Sequence, residues 1–473
     1  MARLVNHNYI IKCNNQSYLS EVGRMKLPYI SRIAGRNLWA RMKVNFLLIP
    51  AVMALGAVLL AWFMFWLDGQ VPNDVLNASR FFVSGSVGEL RGYMFSMATT
   101  VLTTAGVVFT LLTLPLSTVA AQYGSRLLRI FLGDRTTQVV LGMFVATFFY
   151  CVTGAMITPP IEILPEGPQI TCTIGLYLLV VSFISLIVLI HHTSIMLQAP
   201  NIAAVTGADL MEVVRETGLA ENWGGEDQPQ TGRSLPDSWM EAETPHPILG
   251  NKVGYIQYVD TEYILPLAEK KDIVIRFEHK PGDFIWRGRV IALVWPADLV
   301  DEKLDKEIKK TFHLGNQRTP TQDVEYAVNQ LTEMAVRAMS PAINDPFTAM
   351  TCLDYIGDGL ALFAKRGAIS PFIHDRHGQV RLVFNPVTFD GLLSVAFDML
   401  RHASCDNASV LLHMLETIDI ISQETKSPDA RQNLLRHVSL IEMESQNGSL
   451  VEEDRQSIQR SSEALQLKLK SPV

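Results

Sequence analysis

Two sets of side chains in this 473-residue sequence have the types and spacing to do chemistry. The first is Arg337, Asn344 and Asp345, with Arg318 and Asp323 upstream. An arginine fork suits a carboxylate or phosphate, and Asp345 is placed to orient it. The plainer account is a buried cap-and-salt-bridge network that holds a helix break, and it is preferred. The second set is Gly92, Ser96, Thr99, Thr103, Gly106, Thr110, Thr113 and Ser117, spaced alternately by four and three residues. At about 100° per residue these positions share one helix face. Small and hydroxyl residues let helices approach closely in lipid, and packing is the simpler expectation. On that reading Gly106→Leu separates packed helices. The same hydroxyls suit a wet path, because they can replace part of an ion's hydration. Pro115 is placed to kink the end of this helix, which fits either account.

Other clusters carry less. His374-Asp375-x-His377 is the one local group resembling a ligand set, but it falls in an expected turn between strands, where polar residues are routine. His191 and His192 are adjacent, so on a helix they diverge; interfacial anchoring is the expected role. Five cysteines are scattered without a CxxC pair. No GxxxxGK[ST], no GxGxxG after a strand, no GxSxG and no HExxH occurs. An enzyme is therefore a minority reading, and no cofactor or metal is expected.

The elements that must position these residues divide sharply by composition. Charged residues make up only 18% and mean hydropathy is +0.18, which points to a membrane. Four uncharged apolar runs, 44–67, 97–121, 137–157 and 172–190, are long enough for a hydrocarbon core of about 30 Å. The first follows a basic segment, 1–43, and is too long for a signal-peptide core, so no cleaved leader is expected. Residues 1–200 hold 13 Lys/Arg against 7 Asp/Glu, and residues 201–473 hold 27 against 40. Eight basic residues precede the first run, and Arg126, Arg129 and Arg135 lie between the second and third. The segment between the third and fourth has none. The positive-inside rule then puts both termini in the cytosol, with Arg126, Arg129 and Arg135 at the membrane interface. The net charge of −7 gives no reason to expect nucleic-acid binding.

Beyond the membrane domain (44–200), residues 201–250 read as a helix to about Gly218 followed by a flexible linker. Residues 251–297 read as β-rich, with strands at 255–259, 273–277 and 290–294 and a helical stretch at 260–271. Its Pro281-Gly282-Asp283-Phe284-Ile285-Trp286-Arg287-Gly288 turn is similar to the Gly-Asp turn of biotinyl/lipoyl sandwiches. The lysine that such carriers modify is flanked by Met or Asp. Lys252, Lys270, Lys271 and Lys280 lack those flanks, so a structural sandwich is expected rather than a carrier. Residues 298–473 read as a helical bundle. One face carries Val324, Ala327, Val328, Leu331, Met334, Ala335 and Ala338 at helical spacing, and Asp345-Pro346 starts the next helix. A short ribbon at 372–384 interrupts the helices.

Gln122-Tyr123-Gly124-Ser125-Arg126-Leu127-Leu128-Arg129, Asp134-Arg135-x-x-Gln138 and Ser340-Pro341-Ala342-Ile343-Asn344-Asp345-Pro346-Phe347 resemble a family of predicted bacterial membrane proteins of unknown function. The resemblance implies an α-helical integral membrane protein of the bacterial inner membrane with a cytosolic α+β half, and it brings no activity. Ala342 departs from the glycine more usual there. With four spans per chain, a permeation path needs several copies. An oligomeric channel-like protein in the bilayer is the expectation. The alternative is a membrane-anchored sensor or scaffold whose cytosolic half binds an unidentified ligand or protein.

Overall fold

A computed structural model describes residues 47–71, 81–123, 134–158, 167–217, 244–367 and 369–471. The chain forms two compact units, Met1–Ile195 and Met196–Val473.

Among the described residues, unit 1 contains four helices long and apolar enough to cross a membrane: α1 (Leu48–Asp68), α2 (Val87–Tyr123), α3 (Arg135–Ile157) and α4 (Gln169–Met196). Helix α2 starts ten residues before its uncharged run. Ser86 and Glu89 form a capping box there: the Ser86 N–H donates to Glu89 Oε2 at 2.8 Å, and Glu89 N–H donates to Ser86 Oγ at 3.4 Å. Helix α3 starts at Asp134, whose carboxylate accepts from Thr137 N at 2.7 Å. The close approach within the bundle is made by α3. A Cβ on Gly142 would meet Met53 Sδ at 2.5 Å, and one on Gly154 would meet Met94 Sδ at 2.9 Å. Ala57, Ala61, Met94, Ala146, Tyr150 and Ala155 fill the space between α1, α2 and α3.

Unit 2 opens with α5 (Ala199–Thr217), where Pro200 sits in the first helical turn, a position proline tolerates. Among the described residues, eight strands follow in two sheets. Strands β1 (His246–Leu249), β3 (Val274–Phe277), β5 (Val290–Trp295), β7 (Phe372–His374) and β8 (Val380–Val383) make one, in the order β1-β5-β3-β8-β7. Strands β2 (Gly254–Val259), β4 (Phe284–Ile285) and β6 (Phe312–Gly315) make the other, in the order β4-β2-β6. Neighbours are antiparallel except β3 and β8, which run parallel with Ile275 opposite Leu382. Helices α6 (Thr261–Lys271) and α7 (Glu302–Thr311) join both sheets in one apolar core that includes Ile256, Ile264, Ile275, Ile285, Ile308 and Leu382. The β-structure thus reaches well beyond 251–297. It takes β1 from the expected linker, and β6, β7 and β8 from the expected bundle. Pro247 is accommodated because β1 is an edge strand.

The remaining helices are α8 (Val324–Ala338), α9 (Pro346–Arg366), α10 (Phe389–Ala403), α11 (Ala408–Glu424), α12 (Pro428–Asn447) and α13 (Glu452–Lys470). Helix α8 is central, packed by α5, α9 and α10. All seven apolar residues assigned to its inner face are buried. Four apolar helices plus a mostly helical second unit with small sheets is the fold.

Candidate functional site

The five residues of the first polar set fall into two groups at opposite ends of α8. A helix of 15 residues spans about 22 Å, so they form no single site. At its start, Arg318 grips Asp323 with two bonds, Nε to Oδ2 at 2.7 Å and Nη2 to Oδ1 at 2.8 Å. Asp323, only 2% exposed, also caps α8 by accepting from Tyr326 N at 2.9 Å. The guanidinium lies 5.4 Å from the centre of the Tyr326 ring. Burial pushes the Asp323 carboxyl above the usual carboxylate range, and the Arg318 contact opposes that. The Gly-Asp turn closes over this pair. Gly282 has φ +95°, and a Cβ there would lie 2.1 Å from Asp323 Oδ2. Lys280 Nζ reaches Glu325 Oε1 at 2.5 Å. The turn is thus pinned to α8, with Lys280 held in an ion pair.

At the other end, Arg337 pairs with Glu333 at 3.1 Å. Asn344 takes φ +48°, its N–H donating to Ser340 O at 2.9 Å. Asp345 caps α9 by accepting from Thr348 N at 3.1 Å and Thr348 Oγ1 at 2.5 Å, with Pro346 in the first helical position. These contacts match a helix break held by local caps. Phe347 is nevertheless 76% exposed, and Ile343, four residues before it, is exposed too.

The α2 stripe lies outside its own bundle. Leu90, Met94, Met97, Ala98, Val101 and Val108 form the buried face of α2, while Ser96, Thr99, Thr103, Gly106, Thr110, Thr113 and Ser117 are exposed. Nothing lies within 4 Å of a Cβ built on Gly92 or Gly106. Among the described residues, no helix of the same chain faces Gly106, so a seam there needs a partner from outside them. Thr99, Thr103 and Thr110 donate to the carbonyls of Phe95, Thr99 and Gly106 at 2.9, 2.9 and 3.0 Å. Each hydroxyl spends its one proton there and keeps its capacity to accept. The side chain of Pro115 and the residues Arg126 and Arg129 lie outside what is described. Arg135 is exposed in the first turn of α3.

Asp375 spends its carboxylate on the hairpin: it accepts from His377 N and Gln379 N at 2.9 Å each, and from Arg381 Nε at 2.7 Å. The His374-Asp375-x-His377 cluster is thus turn architecture. His192 pairs with Asp134 at 3.1 Å and His191 is exposed, so the two histidines diverge as their spacing requires.

Sequence reasoning missed Asp68, which marked only the end of an uncharged run. It accepts from Ile170 N and Thr171 N at 2.7 and 2.9 Å and so caps α4. It also missed Thr147 and Ser182, whose hydroxyls meet at 2.9 Å between α3 and α4. Neither pairing leaves a local signal, since the partners lie far apart in the chain.

Four long apolar helices joined to a mixed α/β unit define a multi-pass membrane protein. The chain belongs to the family described as "Predicted membrane protein (DUF2254)", whose model matches residues 43–419. It is similar to an uncharacterized protein of Mycobacterium bovis and one of Mycobacterium tuberculosis. Each is 28% identical over 378 residues, covering 78% of this chain and 71% of the relative. No solved structure matches. Neither the family description nor these relatives' names carry an activity.

Proposed function

We propose that this protein is an oligomer of the bacterial inner membrane in which copies meet through the exposed hydroxyl face of α2 and enclose a channel-like path. The observation that carries this reading is the row on α2: Ser96, Thr99, Thr103, Gly106, Thr110, Thr113 and Ser117 are all exposed, interleaved with exposed Phe95, Leu102, Val107 and Phe109, while Met94, Val101 and Val108 pack into the bundle. A lipid-facing surface needs no such row, whereas a helix–helix seam or a wet path does. The mass of the protein in lipid nanodiscs tests the assembly. A monomer sinks the proposal, and Gly106→Leu should convert the oligomer to monomers while the chain stays folded. Cysteines at Thr103 and Thr110, but not at buried Val108, should react with a water-soluble thiol reagent. Unreactive cysteines along the row of an intact oligomer would reduce the seam to packing and end the channel reading.

A second reading, a scaffold that binds cytosolic partners, is favoured by exposed Ile343 on the loop before α9 and exposed Phe347 in its first turn. Loss of a co-purifying protein from Phe347→Ser, with the oligomer intact, would support it.

A further inference from the structure

Residues 196–473 carry 27 Lys/Arg against 40 Asp/Glu, yet two segments that meet at one end of the β-structure carry basic charge alone. Two loops meet there, 249–254 and 284–289. They are joined by Gly250 N to Arg289 O and Gly288 N to Gly250 O, both at 2.8 Å. Together they contain Lys252, Arg287 and Arg289 and no acidic residue. All three cations are exposed, and none makes an ion pair among the described residues. The nearest acids in sequence are engaged. Glu278 pairs with Arg276 at 2.7 Å, and Asp283 accepts from Lys280 N at 3.0 Å and lies 3.5 Å from His279.

Amid these charges stands Trp286, 58% exposed, with Leu249 and Val253 exposed beside it. Its ring meets Phe284 edge-on at 5.5 Å, and Phe284 in turn meets Tyr255 at 5.0 Å. The indole is thus propped outward on an aromatic stack. An exposed tryptophan and aliphatics ringed by Lys and Arg match the composition of a membrane-interface contact. A lipid surface does not have to be captured from solution, because α4 ends at Met196 and α5 starts at Ala199, so the tether between a span and unit 2 is short.

We propose that loops 249–254 and 284–289 dock on anionic lipid headgroups of the bilayer the chain spans, with Trp286 entering the interface and Lys252, Arg287 and Arg289 meeting the phosphates. The proposal stands apart from the role of α2.

The test uses the full chain in nanodiscs of phosphatidylcholine with phosphatidylglycerol, the latter brominated to quench tryptophan. Trp62 and Trp66 on α1 report insertion, and the difference between wild type and Trp286→Phe isolates Trp286. Quenching of Trp286 at low salt, relieved at about 1 M salt, is expected. Each neutralised cation should weaken the contact about fivefold. Lys252→Gln/Arg287→Gln/Arg289→Gln should therefore free Trp286 while Trp62 and Trp66 stay quenched. A Trp286 that is never quenched overturns the proposal, whether water or protein covers it. Equal quenching in discs of brominated phosphatidylcholine alone, insensitive to salt, overturns it as well.

Discussion

Asp68, the last residue of α1, reaches the first turn of α4 and accepts from Thr171 twice, from its N–H at 2.9 Å and its hydroxyl at 2.6 Å. One carboxylate thus ties two helices a hundred residues apart in sequence. Asp68→Ala should remove the cap and cost about 1–2 kcal/mol, with Asp68→Asn recovering part of it. Thermal unfolding in detergent measures both. An Asp68→Ala protein as stable as wild type would show the tie to be dispensable.

A smaller effect is expected in the middle of the bundle. Thr147→Val and Ser182→Ala each remove one side of the 2.9 Å hydroxyl pair. Their coupling in a double-mutant cycle should be about 0.6 kcal/mol, because unfolded membrane helices also find partners. A coupling several times larger would mean the pair organises more than itself.

The turn at Gly282 and the Arg318–Asp323 pair should fail together. Arg318→Ala leaves a buried carboxylate without its partner, costing about 3–5 kcal/mol. Gly282→Ala combines a strained backbone with a Cβ that would sit 2.1 Å from Asp323 Oδ2. Hydrogen exchange at the start of α8 should rise in both variants. Unchanged protection in Gly282→Ala would show that the turn and helix are not coupled.

His437 sets a pH dependence. It is fully buried, and burial, with Arg436 close by, pushes its pKa from 6.5 down to about 4. The unfolded chain therefore binds this proton more readily than the folded one between those values. Stability from this group is complete above about pH 6.5 and falls as pH drops toward 4, by about 3 kcal/mol in all. Asp375, held below the carboxylate range by Arg381 and two backbone N–H groups that outweigh burial, pulls in the same direction at lower pH. Melting curves from pH 7 to 4.5 should slope less steeply for His437→Leu than for wild type. Equal slopes would remove His437 as the cause.

Topology is testable without purification. A reporter fused after Val473 should be active only in a cytosolic form, and one inserted near Glu166 only in a periplasmic form. The reverse at either place would overturn the orientation.

The helices of both units were legible because their signals are local. Asp260, Asp301, Asp323, Asp345, Thr388 and Asn407 each accept from the third residue onward, as a capping residue should. The sheets were legible only in part. Strand β6 follows α7 without a break and reads as its last turn, and β1 is four residues long with a proline inside. What decides both is pairing with partners elsewhere in the chain. The polar sites split the same way. Asp345 was readable from Asp-Pro alone, whereas the distance between Arg318 and Arg337 depends on the length of straight helix between them. The outward orientation of the α2 stripe followed from no periodicity, since a face can be regular without being covered.

The parallel pairing of Ile275 with Leu382 governs how the protein is made. Strand β3 finds β5 soon after synthesis, but its other edge has to wait for β8, about a hundred residues later. At about 5–20 residues per second that edge stands open for on the order of ten seconds. During that interval a strand with unpaired N–H and C=O groups is a template for wrong partners. A nascent chain stopped before Val380 would keep it open indefinitely.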